Sequence, residues 1–117
     1  MGAKWCDSQP VIVVNNLGDA IDMDEQWPRL NIPNYQMIEA IEPDDWVMLT
    51  HQGERFWVKV DIVVVNENQC EFIGQVKDDL IYSHPFKNGD CITFEGKNIL
   101  NIQSHEWKNN ERISPNE

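Results

Sequence analysis

A chain of 117 residues with 41% apolar and 25% charged side chains has the make-up of one soluble globular domain, long enough to bury a core. Twenty acids against nine bases leave a formal charge of −11, which disfavours direct binding to nucleic acid or an anionic membrane and favours cationic partners. The longest apolar runs, Val11–Val14 and Ile62–Val65, are far too short to cross a bilayer, and the first residues lack the apolar core of a secretory signal.

In chain order, Val11-Ile12-Val13-Val14 reads as a short strand between Pro10 and Asn15-Asn16. Residues 17–33 hold no sustained period and read as an ordered loop, with one helical turn near Asp19–Met23. Asn34 is a good N-cap for a helix over Tyr35–Ile41, with Met37, Ile38 and Ile41 as its apolar face and Pro43 as its stop. Trp46–Thr50 is a strand turned at His51-Gln52-Gly53. From Arg55 to Val65, Phe56, Val58, Val60, Ile62 and Val64 form one apolar face, while Arg55, Trp57, Lys59 and Asp61 form a polar one; this is a half-buried antiparallel strand. Cys70–Val76 returns, with a bend or bulge expected at Gly74. Leu80-Ile81-Tyr82, Cys91–Glu95 and Ile99–Ile102 read as further short strands, with Asn88-Gly89 at the tip of a turn. Residues 105–117 form a polar tail, leaving 1–104 as a single domain with its core in 41–102.

One internal echo links Ile41-Glu42-Pro43-Asp44-Asp45-Trp46-Val47-Met48-Leu49 to Phe86-Lys87-Asn88-Gly89-Asp90-Cys91-Ile92-Thr93-Phe94. Each copy has an apolar residue, a charged one, a turn pair, an Asp and then a strand. Two such turns around a central hairpin predict a mainly β fold: a small, strongly bent, partly closed antiparallel barrel of SH3-like type with one short helix, or alternatively an OB-like barrel. The three cysteines have no C-x-x-C spacing. Cys70 and Cys91 read as buried small hydrophobes and Cys6 as a free thiol outside the sheet, which fits a reducing cytoplasm.

The run Gly53-Glu54-x-Phe56-Trp57-Val58-x-Val60, then Phe72-x-Gly74, Asp78-Asp79, Gly89-Asp90-x-Ile92-x-Phe94 and Asn98-Ile99 resembles the YegJ-like proteins, a bacterial family of unknown function, over roughly residues 41–102. Members often carry Asn-Asp in place of Asp78-Asp79, and Pro-Gly-Asp in place of Pro43-Asp44-Asp45; both departures keep a turn. The resemblance implies a bacterial protein and a framework of turns, and it carries over no catalytic residue.

No residue pattern demands a chemistry. His51, His84 and His105 lie in separate turns without metal-ligand spacing, and Asp19, Asp22, Asp24 and Glu25 do not match a calcium loop. No nucleophile elbow or phosphate loop is present, so no catalytic residue, metal or cofactor is expected. Five tryptophans are more than a core of this size needs. Between Asp19 and Asp45, eight acids face one base, Arg29. Trp46 and Trp57 on one face, with Asp22, Asp24, Glu25, Asp44 and Asp45 around them, would form an aromatic, anionic patch for an ammonium or guanidinium group. The expected function is a non-catalytic binding or accessory module for a basic protein segment or small organic cation, compatible with a homodimer. The alternative is an acidic nucleic-acid mimic from a phage or mobile element, which needs its acids in rows rather than around a tryptophan.

Overall fold

Alternating apolar and polar side chains build the sheet, and two copies of one turn fix where its strands begin. The structure, a computed structural model, describes residues 6, 8–14, 16–20, 33–65 and 70–103. Its elements are β1 (Val11–Ile12), helix α1 (Tyr35–Glu39), β2 (Trp46–His51), β3 (Glu54–Val65), β4 (Cys70–Val76), β5 (Cys91–Glu95), a 3-10 turn (Gly96–Asn98) and β6 (Asn101–Gln103). The fold is mainly β, one six-stranded sheet in the order β1-β5-β4-β3-β2-β6. Every pairing is antiparallel except β1 on β5, which is parallel. The sheet does not close into a barrel; β1 and β6 stand at its two edges.

The internal echo is a structural repeat. In the first copy Asp45 Oδ2 accepts from Glu42 N at 2.9 Å; in the second Asp90 Oδ2 accepts from Lys87 N at 3.0 Å. Asp44 N donates to Val60 O while Val60 N donates to Asp45 O, and the same exchange joins Gly89, Asp90 and Val76. Each carboxylate therefore closes a tight turn and hands the chain to a strand. The turn needs a left-handed residue before the Asp: Gly89 supplies it at φ 98°, and Asp44 is forced to φ 80°.

Strand β3 pairs with β2 through Glu54–Lys59 and with β4 through Val58–Val65. Phe56, Val58 and Val60 are buried inward, as their period of two requires. Between Val60 and Ile62 the register with β4 slips by one residue, opposite Gly74. A Cβ on Gly74 would lie 2.6 Å from Val58 Cγ1 and 2.8 Å from Lys59 O, so the close approach needs glycine. The bulge reverses the alternation. Val63, opposite Phe72, now packs on the core, while Ile62 is only half-buried and Val64 is 41% exposed. The expectation that the even face continues through Ile62 and Val64 is corrected by this one extra residue.

Asp61 is corrected too. Expected on the open polar face, it is only 5% exposed, because the N-terminal segment crosses that face and Cys6 N donates to Asp61 Oδ2 at 2.9 Å. The crossing also brings Cys6 to Cys91 in a disulfide, with Cα atoms 5.8 Å apart. Neither is the reduced thiol the sequence suggests; Cys70 alone of the three is free, and it is buried in the core as expected.

The remaining elements shift modestly. Asn34 caps α1 by accepting from Met37 N, but the helix ends at Glu39 and Met37 is exposed, so Ile38 and Ile41 alone face the core. Residues 80–82 are not a strand: Glu54 takes the amides of Ile81 and Tyr82 that a neighbouring strand would have used. The last strand begins at Asn101, after Ile99 and Leu100 have entered the core from the 3-10 turn. Of the turn sought at Asp19–Met23 only Asp19 and Ala20 are described, and residues 21–23 and the tail from 105 fall outside the described residues.

Two measurements follow. In denaturant melts Asp44→Gly should be more stable than Asp44→Ala by about 1 kcal/mol, since both lose the carboxylate but only glycine is at ease at that φ; equal stabilities would refute the strain. Cys6→Ser should lower stability by about 2–4 kcal/mol, and a reductant should do the same to the wild type while leaving the variant unchanged.

Candidate functional site

Trp46 and Trp57 do share a face. The pairings Trp46 with Lys59 and Met48 with Trp57 put all four side chains on the outer side of the β2–β3 ladder. Its electrostatics differ from the expected anionic patch. Lys59 Nζ lies 5.4 Å from the centroid of the buried Trp46 ring, so that ring holds a cation of the chain's own. Arg55 and Lys59 flank Trp57 along β3, and Lys77 N donates to Trp57 O. Burial, followed by the charge of Lys59, lowers the pKa of Lys77. Asp45 spends its carboxylate on the turn, and Asp44 occupies the strained turn position. Asp22, Asp24 and Glu25 lie outside the described residues.

A different place combines apolar surface with acid. Beyond Ile92, β5 has no strand on its outer side among the described residues, because β1 pairs only with Cys91 and Ile92. A cleft of about 420 Å³ opens there; Val13, Val64 and Ile73 supply its accessible apolar floor, while Phe72 and Phe94 beneath it are buried in the core. Among the described residues its rim carries Asp19, Glu71 and Glu95 against a single base, Lys97. Glu71 and Glu95 stand directly opposite each other across the β4–β5 ladder, an arrangement that costs stability through like-charge repulsion. Lys97 Nζ, 3.7 Å from Glu95 Oε1, offsets part of it in an exposed ion pair of small worth.

The cleft's far wall comes from Val13, Val14, Leu17 and Asp19, and the chain there is tied down at three points. Gly18 N donates to Thr50 O at 3.0 Å; Asn98 Nδ2 reaches Gly18 O and Asp19 Oδ1; and Asn16 Oδ1 lies 3.0 Å from His51 Nε2. The last contact ends a buried polar chain. His51 Nδ1 is 2.7 Å from His84 Nδ1, and His84 Nε2 is 2.8 Å from Glu54 Oε1. The two-residue turn at Gln52-Gly53, with φ of 53° and 85°, sets His51 against Glu54 as its closing pair on the inner face. Phe86 stacks on His84 and meets His51 edge-on, sealing the rings from the core side.

Burial, with the His84 ring behind it, holds the pKa of His51 below that of an ordinary imidazole. The hydrogen bond from His84, helped by the amides of Ile81 and Tyr82 and opposed by burial, lowers that of Glu54. Sequence reasoning missed this cluster because its members come from a strand end, a strand start and a loop 30 residues on. The one signal was a charged residue, Glu54, on what the period of two makes an inward position. No family model matches the chain, nor does any curated protein or solved structure.

The lowered Glu54 pKa fixes a pH dependence. Its contribution is present above the unfolded carboxylate range and is lost as pH falls through the folded value. Thermal melts from pH 7 to pH 3 should therefore show wild type most stable relative to Glu54→Gln at neutral pH, with the gap shrinking in acid. A gap independent of pH would remove the charge from the account.

Proposed function

We propose that the protein is a non-catalytic binding module that takes a basic, extended segment of a partner protein into the cleft beside β5. The Glu71–Glu95 pair carries the reading. Two like charges placed opposite each other next to an apolar floor destabilise the isolated molecule, and a Lys or Arg inserted between them relieves that cost at the moment of binding. An extended segment alternating apolar and basic residues matches a site whose floor is apolar and whose rim is acidic. The net charge of −11 would steer such a partner toward the molecule. A small organic cation would meet the same carboxylates without using the floor.

The compartment is part of the proposal. No helix among the described residues is long and apolar enough to cross a membrane. The Cys6–Cys91 bond favours oxidising surroundings over the reducing cytoplasm that unpaired cysteines would suit.

Fluorescence anisotropy with a labelled peptide of alternating Lys and Leu should show saturable binding that weakens with salt. Glu71→Lys should weaken it at least about tenfold, a loss of about 1.4 kcal/mol, while raising the melting temperature by removing the like-charge pair. Trp57→Ala should leave the affinity unchanged. Binding that survives Glu71→Lys but fails in Trp57→Ala would return the site to the tryptophan face, and no binding at low salt would refute the reading.

A further inference from the structure

The polar chain from the exposed Asn16 to the buried Glu54 contains a proton-counting problem. At one end the Glu54 carboxylate already accepts the amides of Ile81 and Tyr82, and the lowered pKa of this group keeps it ionised, so His84 Nε2 must donate to it. At the other end Asn16 Oδ1 can only accept, so His51 Nε2 must donate as well. Both rings have then used one nitrogen as a donor, and their two Nδ1 atoms face each other at 2.7 Å. Two lone pairs cannot sit at that distance. A single proton between them satisfies both, giving two rings that together carry one positive charge beside one carboxylate. A second proton would add a like charge in a buried site, in keeping with the lowered pKa of His51.

We propose that His51 and His84 form a buried site for one shared proton, with Glu54 as its counter-charge, and that the occupancy of this site controls the wall of the cleft through Asn16. The second half rests on the cleft being a binding site; the first does not. Loss of the proton to solvent is balanced as follows. His84 keeps Nε2–H on Glu54, and the remaining proton between the rings stays on His51 Nδ1 and is donated to His84 Nδ1. His51 Nε2 becomes a lone pair, and the cluster goes from neutral to a net charge of −1. The Asn16 carbonyl then faces a lone pair, and the contact must break or the amide must invert. Asn16 lies between Val14 and Leu17, both lining the cleft, so the wall feels the change directly.

Other charges do not obscure the assignment. Among the described residues Glu54, on β3, is the one charged group in hydrogen-bond contact with the two rings, His51 being on β2 and His84 on the loop before β5. On the wall itself the charged group is Asp19, which is held by Asn98. Phe86 fills the side facing the core.

The experiment is a titration of the intact protein from pH 5 to pH 9, following the ring nitrogens of both histidines and the methyl groups of Val14 and Leu17 by NMR. The expected result is one shared transition for His51 and His84, mirrored by the two methyl sets. Glu54→Gln should lower its midpoint by about one pH unit or more. Asn16→Ala, a change at an exposed residue, should keep one shared ring transition with a lowered midpoint, because His51 Nε2–H loses its acceptor, and should flatten the methyl response. Two separate transitions, each adding a proton to its own ring, would overturn the shared site; wild-type methyls that do not titrate would overturn the coupling. The Lys-Leu peptide supplies a separate arm, measured on either side of the midpoint. Affinity that differs between the two pH values in wild type but not in Asn16→Ala supports the coupling, and equal affinity in wild type overturns it. Absence of binding at both values refutes the cleft as a peptide site and leaves the NMR result standing for the proton site alone.

Discussion

The extra residue at Asp61 is the constraint from which the rest of the architecture follows. Strand β3 has to serve two neighbours, β2 along its first half and β4 along its second, and one continuous pleat would present the same face to both. The slip between Val60 and Ile62 changes which face points inward, so that Phe56, Val58 and Val60 and then Val63 all reach one core. It also leaves Asp61 and Ile62 on the same outer side. Asp61 gives the N-terminal segment a carboxylate to bind, and the path of that segment to Cys91 runs from there.

The candidate site is a by-product of incomplete coverage. Strand β1 protects only two residues of β5, and the chain then turns away to form a wall rather than a longer strand. What remains is an apolar floor bordered by carboxylates that repel one another, a combination more often retained for a partner than for stability. Farther along the same face of the sheet, Trp57 lies between Arg55 and Lys59 and the Trp46 ring carries Lys59, so the described part of that surface already holds cations of its own.

Much of this was legible in the chain. The alternation in residues 55–60, the Asn34 cap and the Asp45 and Asp90 turns are local: each depends on residues within a few positions, and each forms where expected. The repeat even carries its own diagnosis, since the place where one copy has Gly89 and the other Asp44 is the place where the backbone is left-handed. The bulge was anticipated at Gly74, on the partner strand, but its effect on Val63 and Val64 depends on a register that sequence does not state. The disulfide and the His51–His84–Glu54 chain were illegible for a further reason. Cys6 and Cys91 are 85 residues apart, and the two histidines 33, and only the completed sheet brings them together. Composition did not place Arg55 and Lys59 beside Trp57, because an anionic total does not say where the few cations gather.

The parallel pairing of Val11–Ile12 with Cys91–Ile92 sets an order of events for the growing chain. Strand β1 waits long for its partner, since about 80 further residues must be made before Cys91 exists. During that interval four β-branched residues, Val11 to Val14, have no ladder to join, and a β-prone run in that state is open to pairing with another molecule. The hairpins formed by β2, β3 and β4 close over short distances and can assemble in the meantime. Completion of the sheet edge, and with it of the cleft, is therefore postponed until β5 has emerged.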